Sequence, residues 1–116
     1  MKFLYYHNPR CRKSRETLEF LKEKGIEPEL FLYLKTPPSF DELKEVIKKL
    51  GIKPYDLIRR NEKIFKENYK GKDFSDDEWI RIMVENPKLI ERPIIIAGDK
   101  AVIGRPKENV LELLED

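Results

Sequence analysis

Apolar and polar positions along the chain follow two periods, and each period predicts one kind of element. A short apolar and aromatic run at residues 2–6 predicts a buried strand, which stops where Pro9 disfavours helical backbone at the residue before it. Residues 11–24 follow with a helical pattern, and Gly25 is typical of a helix end. Residues 28–34 favour a second strand. The first third of the chain therefore predicts a β-α-β unit.

Two capping boxes indicate helices in the middle of the chain. Ser39 and Ser75 are each followed three residues later by a Glu, and both pairs precede apolar positions at helical spacing. Between them, residues 55–58 favour a short helix and residues 66–72 a solvated connection. We therefore interpret approximately residues 39–90 as a helical insertion.

The last third of the chain returns to the period of a strand. Residues 94–97 and 101–103 are apolar runs that flank a Gly98-Asp99 turn, which predicts a β-hairpin. A final helix follows, with apolar positions at Val110, Leu111 and Leu114. The order β-α-β, helical insertion, β-β-α predicts an α/β thioredoxin-like fold with a mixed sheet of about four strands, in a single domain over residues 1–116.

Composition and charge narrow the class of protein. A chain of 116 residues suffices for one domain with a single core. Its longest aliphatic runs fall far short of the roughly 20 residues that cross a bilayer, and its N-terminus lacks the apolar region of a secretory signal. We therefore expect a cytoplasmic protein that does not act in a membrane. The net charge of +2, from 24 basic and 22 acidic residues spread along the chain, disfavours direct nucleic-acid binding. We expect a monomer.

The chain contains one cysteine and one histidine, which limits its chemistry. A single Cys excludes an internal disulfide and any zinc site built on several thiolates, and a single His disfavours other metal sites. We therefore expect no bound metal or cofactor. Thiol redox chemistry would need a second thiol from another molecule.

Cys11 lies at the predicted start of the first helix, directly after the first strand. Free N–H groups and the helix dipole favour an anion at this position, and adjacent cations lower a thiol pKa. Ser14 could donate a hydroxyl hydrogen bond to a thiolate or serve only as a cap. His7 could add another donor or a positive charge, or merely order the loop. A lone Cys is more often a small buried hydrophobe. Here a reactive thiolate is favoured by four neighbouring cations, Arg10, Arg12, Lys13 and Arg15.

The loop at residues 7–15, His-Asn-Pro-Arg-Cys-x-Lys-Ser-Arg, resembles the signature of the glutaredoxin-linked arsenate reductases. Further landmarks resemble that family in order and at similar spacing. They are Tyr-Leu-Lys-Thr-Pro-Pro at 33–38, Leu-Ile-Arg-Arg-Asn at 57–61, Glu-Arg-Pro-Ile at 91–94 and Gly-Arg-Pro at 104–106. The resemblance covers nearly the whole chain.

This resemblance implies a reaction and a set of site residues. Cys11 would attack arsenate or a similar oxyanion, and the resulting thiol-arsenate adduct would be attacked by external glutathione and released by glutaredoxin as arsenite. Pro93 matches the cis-proline that faces the active Cys in thioredoxin-like folds. The oxyanion would be bound by the guanidinium groups of Arg59, Arg92 and Arg105, here called the oxyanion clamp. Arg60 is an alternative to Arg59 in this set.

Two other functions remain open at this point. An Spx-like transcriptional regulator that binds RNA polymerase would be expected to carry Cys-x-x-Cys, whereas the second position here is Ser14. A glutathione-dependent thiol reductase with another substrate differs in its need for Arg59, which glutathione binding need not use. A tyrosine phosphatase is disfavoured because its Cys-x5-Arg loop would require Arg at the position of Thr17.

Overall fold

The computed structural model describes residues 2–114, and its elements follow the predicted order. Four strands form one mixed sheet in the order β2-β1-β3-β4: β1 (Phe3–Tyr6), β2 (Glu29–Phe31), β3 (Ile94–Ala97) and β4 (Lys100–Ile103). The α-helices are α1 (Arg12–Glu23), α2 (Phe40–Leu50), α3 (Lys63–Asn68) and α4 (Asp76–Glu85). Short 3₁₀ helices span Pro54–Leu57, Pro87–Leu89 and Lys107–Leu114. The predicted α/β thioredoxin-like fold class is confirmed.

The described residues group into two compact units. The first contains the sheet, α1 and the last 3₁₀ helix, from residues up to Thr36 together with those from Arg92 onward. The second is Pro37–Glu91, which contains α2, α3 and α4. This second unit corresponds to the segment predicted as a helical insertion.

The register of the sheet brings four loops of the first unit to one edge. Tyr6 at the end of β1 pairs in parallel with Phe31 of β2 and in antiparallel with Ile94 of β3. Ile94 in turn pairs with Ile103 at the end of β4. The carboxyl ends of β1, β2 and β4 therefore meet the amino end of β3. Every sequence landmark that lies in this unit follows or precedes a strand at that edge.

The core of the first unit is built from the sheet, α1 and the last 3₁₀ helix. Tyr5, Leu21 and Ile95 are fully buried in it, as is Val110. Of the other apolar positions noted in the last helix, Leu111 and Leu114 are both more than a third exposed, while Leu113 is buried. The reason is the tighter winding, because residues three apart eclipse one another in a 3₁₀ helix.

In the second unit, both predicted capping boxes form and the helices enclose an aromatic cluster. The hydroxyls of Ser39 and Ser75 accept hydrogen bonds from the backbone N–H groups three residues on, at 3.1 Å and 3.2 Å. Trp79 of α4 is the centre of the cluster, and its ring centroid lies 4.9 to 6.5 Å from those of Tyr55, Phe65, Tyr69 and Phe74. Because aromatic rings bury large apolar areas, this cluster is a main source of packing in the unit.

Two elements differ from the sequence prediction. Residues 66–72 were expected to be a solvated connection, but α3 extends through Asn68 because Phe65 is buried against Trp79 and holds that turn in place. The second strand is shorter than residues 28–34, since the backbone turns after Phe31 with a hydrogen bond from Lys35 N–H to the Leu32 carbonyl. Within residues 2–114, no helix combines the length and apolar character needed to span a bilayer.

Candidate active site

Cys11 is the N-cap residue of α1. Its backbone is extended, with φ −91° and ψ 120°, and its carbonyl accepts the first helical hydrogen bond from Arg15 N–H at 3.1 Å. Its own N–H donates to the Asn8 carbonyl at 2.9 Å, which closes the loop after β1. The thiol is partly exposed. The fold therefore presents it at the helix terminus where the N–H groups of the first turn have no helical partner.

The pKa of Cys11 is lower than that of an ordinary thiol. Burial opposes the charged form, but the backbone N–H of Ser14, the charge and hydrogen bonding of the Arg92 guanidinium and the N–H of Lys13 together outweigh it. The side chain forms no cap hydrogen bond of normal geometry. The N–H groups nevertheless face the sulfur closely enough to stabilise a thiolate. The thiolate expected from the sequence is therefore supported by Arg92 and the helix N-terminus, and less by the neighbouring surface cations.

Ser14 joins the Cys11 loop to the helix through a buried network. Its side chain is fully buried, and its hydroxyl oxygen lies 2.8 Å from His7 Nδ1 and accepts a hydrogen bond from Asn8 N–H at 3.1 Å. The sequence allowed a hydroxyl hydrogen bond to the thiolate. In the structure the hydroxyl has these other partners, and Ser14 acts on Cys11 through its backbone N–H.

His7 is buried and is held beside this network. Burial, and then the positive charges of Arg15 and Lys22, lower the pKa of its imidazole. A neutral ring is therefore favoured near neutral pH, so His7 orders the loop by hydrogen bonding and does not supply a positive charge to the thiolate. Of the two roles considered for His7, the structure supports the ordering of the loop.

Tyr5 is a supporting residue that the sequence reading assigned only to the core. It is fully buried, its hydroxyl donates a 2.5 Å hydrogen bond to the Ser14 carbonyl, and its ring packs edge-on against His7 at 5.5 Å. The alternation of side chains along a strand places residues 5 and 7 on the same face. This spacing was the signal in the sequence that could have linked Tyr5 to His7. The hydrogen bonds of both residues to Ser14 show that they support the first turn of α1.

Arg92 and Pro93 precede β3 at the edge of the sheet where the Cys11 loop lies. The Arg92–Pro93 peptide bond is cis, in agreement with the place that the resemblance gave to Pro93. Arg92 is partly buried, and its guanidinium interacts with the Cys11 sulfur both as a charge and as a hydrogen-bond donor. The structure thus brings together Cys11 and one of the three predicted oxyanion ligands.

Arg105 follows β4 at the same edge and is exposed. It lines a cavity of about 350 Å³ together with Lys13 and Lys107. Gly104, just before it, is held by a hydrogen bond from its N–H to the Pro93 carbonyl at 2.8 Å and by another from the Thr17 hydroxyl to its own carbonyl at 2.9 Å. The Arg105–Pro106 bond is also cis. These contacts fix the backbone from which the Arg105 side chain starts.

Arg59 and its competitor Arg60 lie in the second unit, just after a 3₁₀ helix. The Arg59 guanidinium donates to the Lys88 carbonyl at 3.4 Å and lies 3.6 Å from the carboxylate of Glu62, and its backbone N–H donates to the Leu89 carbonyl. Arg60 instead places its guanidinium 4.6 Å from the centroid of the Tyr55 ring. Binding of an oxyanion by Arg59 stays a prediction.

The donor set does not favour a metal centre. Among residues 2–114, no three His, Cys, Asp or Glu side chains lie close enough together to hold a metal ion. The chemistry available at the edge of the sheet is that of an activated thiol beside guanidinium groups.

Known proteins are similar in sequence and in structure to this chain over almost its full length. The model of the ArsC family matches residues 6–113. The chain is 51% identical to the uncharacterized Escherichia coli protein YfgD, over 94% of this chain and 93% of that one. It is 47% identical to an arsenate reductase of Haemophilus influenzae, over 98% of this chain and 100% of that one. The solved structure of an arsenate reductase from Vibrio cholerae superposes with a TM-score of 0.92 at 46% identity, covering 97% of each chain.

Proposed function

Because the chain belongs to the ArsC family, we propose that it is an arsenate reductase that uses Cys11 as its nucleophile. The observation that carries this proposal is the thiol of Cys11 at the N-terminus of α1, with its pKa lowered against the opposition of burial by the Ser14 N–H and by Arg92. A thiolate is the form that attacks, and an anion site at a helix N-terminus also suits a multiply charged oxyanion. The relatives named arsenate reductase support the choice of substrate.

The first step joins the sulfur to arsenic. The Cys11 thiolate attacks arsenate, an S–As bond forms, and one arsenate oxygen leaves as hydroxide or water. Arsenic keeps its oxidation state in this step. Arg92, which contacts the Cys11 sulfur, would stabilise the charge that develops on the oxygens as the bond to the leaving oxygen breaks.

The oxyanion clamp is proposed to consist of Arg59, Arg92 and Arg105. One guanidinium group can donate two parallel hydrogen bonds to two oxygens of a phosphate-like anion, and arsenate is such an anion. Arg59 is preferred to Arg60 for the third place because Arg59 matches the Leu-x-Arg pattern of the resemblance. Ser14, His7 and Pro93 would hold the loop and the strand end that position the clamp.

The reductant is proposed to be glutathione, with glutaredoxin as the releasing partner. The chain has one Cys, so a disulfide with a second cysteine of the same chain is impossible. Glutathione attacks the Cys11 sulfur of the thiol-arsenate adduct: an S–S bond forms, the S–As bond breaks, and its electron pair stays on arsenic, which leaves as arsenite. Glutaredoxin then attacks the mixed disulfide between Cys11 and glutathione and releases the Cys11 thiolate. Arsenic passes from +5 to +3 by taking two electrons from two thiols, which end as one disulfide, while the oxygen leaves as water.

We also propose that the protein acts as a monomer in the cytoplasm. The support is chemical, because a reducing compartment keeps a lone reactive thiol in its reduced form. No bound metal or cofactor is part of this cycle, so treatment with a chelator is expected to leave turnover unchanged.

The test is arsenate-dependent oxidation of NADPH in the presence of glutathione, glutathione reductase and glutaredoxin. The wild type is expected to turn over, and Cys11→Ser is expected to abolish turnover because a serine hydroxyl stays protonated. Absence of turnover in the wild type, with Cys11 still alkylating rapidly at neutral pH, would refute the arsenate assignment. Arg59→Ala separates the remaining rival, since a thiol reductase that does not bind an oxyanion would keep its activity in this variant.

A further inference from the structure

A second cavity of about 350 Å³ opens beside the loop that carries Cys11. It lies between that loop and the segment that follows β2, and the proposed oxyanion clamp does not use it. The side chains of its lining that matter here are Pro9, Arg10, Leu32, Leu34 and Lys35. Its volume is within the range of about 300–1,000 Å³ found for small-molecule sites.

The strand order separates this cavity from the proposed arginines of the first unit. β1 lies between β2 on one side and β3 and β4 on the other. Arg92 precedes β3 and Arg105 follows β4, whereas the second cavity is on the β2 side of the Cys11 loop. Both walls are tied together by a hydrogen bond from His7 N–H to the Phe31 carbonyl at 2.9 Å. The two walls are therefore joined by the sheet at the base of the cavity.

The lining combines two cations with an apolar wall. Arg10 and Lys35 are exposed, and within residues 2–114 neither has a carboxylate within ion-pair distance. Leu32 and Leu34 expose 39% and 40% of their surface beside them. An occupant that matches this wall has aliphatic groups in the middle and negatively charged ends. Cys11 follows Arg10 directly in the chain, so the cavity borders the loop that carries the thiol.

We propose that this cavity binds the glutathionyl group of the reducing thiol, an inference that rests on the proposed function. Glutathione is a tripeptide whose central thiol lies between two arms, each of which ends in a carboxylate. Lys35 and Arg10 bind the carboxylates, and the leucines contact the aliphatic part of the γ-glutamyl arm. The thiol then approaches Cys11 from the β2 side while the oxyanion occupies the side of Arg92.

Exchange with oxidised glutathione tests the cavity without arsenate. The Cys11 thiolate attacks one sulfur of the disulfide, the S–S bond breaks, and a new S–S bond joins Cys11 to one glutathionyl group. The second glutathione leaves as a thiolate and takes up a proton. The electrons balance because one thiol is oxidised for each thiol released. The rate at increasing concentration of oxidised glutathione, followed by mass spectrometry of the intact chain, gives a half-saturating concentration.

Lys35→Glu is the test variant, because it replaces attraction for a carboxylate by repulsion. We expect it to raise the half-saturating concentration about fivefold, the size of effect that exposed ion pairs produce. Lys100→Glu is the matched control, since Lys100 is an exposed residue of β4 at the opposite edge of the sheet and the change in net charge is identical. Exchange with uncharged hydroxyethyl disulfide should be equal in all three proteins, which verifies that the reactivity of Cys11 is unchanged.

Two results would overturn this site. One is a rate that rises linearly with oxidised glutathione and is the same in the wild type and Lys35→Glu. The other is an equal effect of Lys35→Glu and Lys100→Glu, which would indicate only the overall charge. The result of this exchange test can be distinguished from the result of the arsenate reductase assay. A chain that reduces arsenate but fails the exchange test lacks the glutathione subsite. A chain that passes it without reducing arsenate uses the glutathionyl group in different chemistry.

Discussion

At the scale of single residues, the reactivity of Cys11 depends on the first turn of its own helix and on one residue that is distant in sequence, Arg92. Burial disfavours the thiolate, and the Ser14 N–H and the Arg92 guanidinium outweigh it. The exposed arginine next to Cys11 contributes differently: the side chain of Arg12 is 83% exposed and pairs with Glu16 at 2.9 Å. A solvated and already paired charge has little effect on a neighbour. The cation that lowers the pKa of Cys11 is therefore Arg92, which directly precedes Pro93 and β3.

Arg92→Gln is expected to raise the pKa of Cys11, because the variant loses both the positive charge and the hydrogen bonding that favour the thiolate. The rate of alkylation by iodoacetamide as a function of pH measures this, and at neutral pH it should fall several-fold. Arg12→Gln is the matched control, since it removes an equal charge from a solvated position and should leave the profile nearly unchanged. An unchanged profile in Arg92→Gln would show that the helix N-terminus alone sets the pKa.

The buried imidazole of His7 makes stability depend on pH. Its pKa is lowered in the fold, so the unfolded chain binds a proton at a higher pH than the folded chain does. Stability is therefore complete above the unfolded pKa of about 6.5 and is lost as the pH falls towards the folded value. Urea unfolding between pH 7.5 and about 5.5 should show a falling free energy. Because His7 is the only histidine of the chain, His7→Gln should flatten that dependence. An equally steep fall in the variant would assign the effect to other groups.

At the scale of elements, the site depends on a close approach between the end of β4, the start of β3 and α1. A Cβ at Gly104 would lie 2.8 Å from Ile95 Cδ1 and from Thr17 Cγ2, and 3.2 Å from Pro93 Cγ. Only a residue without a side chain allows this packing. The same backbone leads directly to Arg105, so packing of the core and position of a proposed ligand are coupled at this glycine.

Gly104→Ala is expected to destabilise the fold by about 1–3 kcal/mol, the usual cost of adding a methyl group to a filled core. Urea unfolding measures this, and the shift of the chain before Arg105 should also weaken binding of arsenate, seen as a higher KM. Gly98→Ala is a useful contrast because Gly98 has a positive φ of 62° but nothing within 4 Å of its added Cβ. Its cost should be about 1 kcal/mol, with the KM unchanged. A KM for arsenate in Gly104→Ala equal to that of the wild type would show that packing at Gly104 does not affect substrate binding.

Local signals explain which elements could be predicted from the sequence. The boxes at Ser39 and Ser75 form because their partners are three residues away, and the strands β1, β3 and β4 coincide with contiguous apolar runs. The extent of α3 was missed, since burial of Phe65 depends on a ring from α4. The 3₁₀ winding that exposes Leu111 was missed for a similar reason, as packing against the sheet and α1 decides it. Long-range contacts do not appear in a local pattern.

The same distinction holds for the site. Cys11 could be identified because its strand-to-helix position and charged loop are contiguous in sequence. Arg92 and Pro93 could be placed only through a resemblance, and their contact with the Cys11 loop follows from the antiparallel pairing of β1 and β3. The role of Tyr5 was missed, because its hydrogen bond to the Ser14 carbonyl crosses from strand to helix and a strand Tyr usually indicates core.

At the scale of the whole molecule, the chain offers one reactive thiol at an edge of the sheet and no second cysteine thiol to complete a redox cycle. In a cycle that ends at the disulfide, the two electrons come from two thiols, which join in one disulfide. The chain therefore supplies one of the two thiols that the reduction consumes. The cavity on the β2 side and the lowered pKa of Cys11 are both suited to receive the missing thiol from solution.

This requirement predicts a fixed stoichiometry in a single turnover. Reduced chain mixed with excess arsenate and no other thiol should yield at most one arsenite for every two chains, because two Cys11 residues would have to join in a disulfide between molecules. With glutathione and glutaredoxin added, each chain should turn over repeatedly, and two thiols of glutathione should disappear for each arsenite formed. Arsenite separated by chromatography and quantified by its arsenic content, with free thiols titrated in parallel, measures both numbers. A yield approaching one arsenite per chain without added thiol would mean that Cys11 alone supplies both electrons, as in oxidation to a sulfenic acid, and would contradict a cycle that ends in a disulfide. Because Cys11→Ser contains no sulfur that could be oxidised to a disulfide, its yield sets the background against which both values are read.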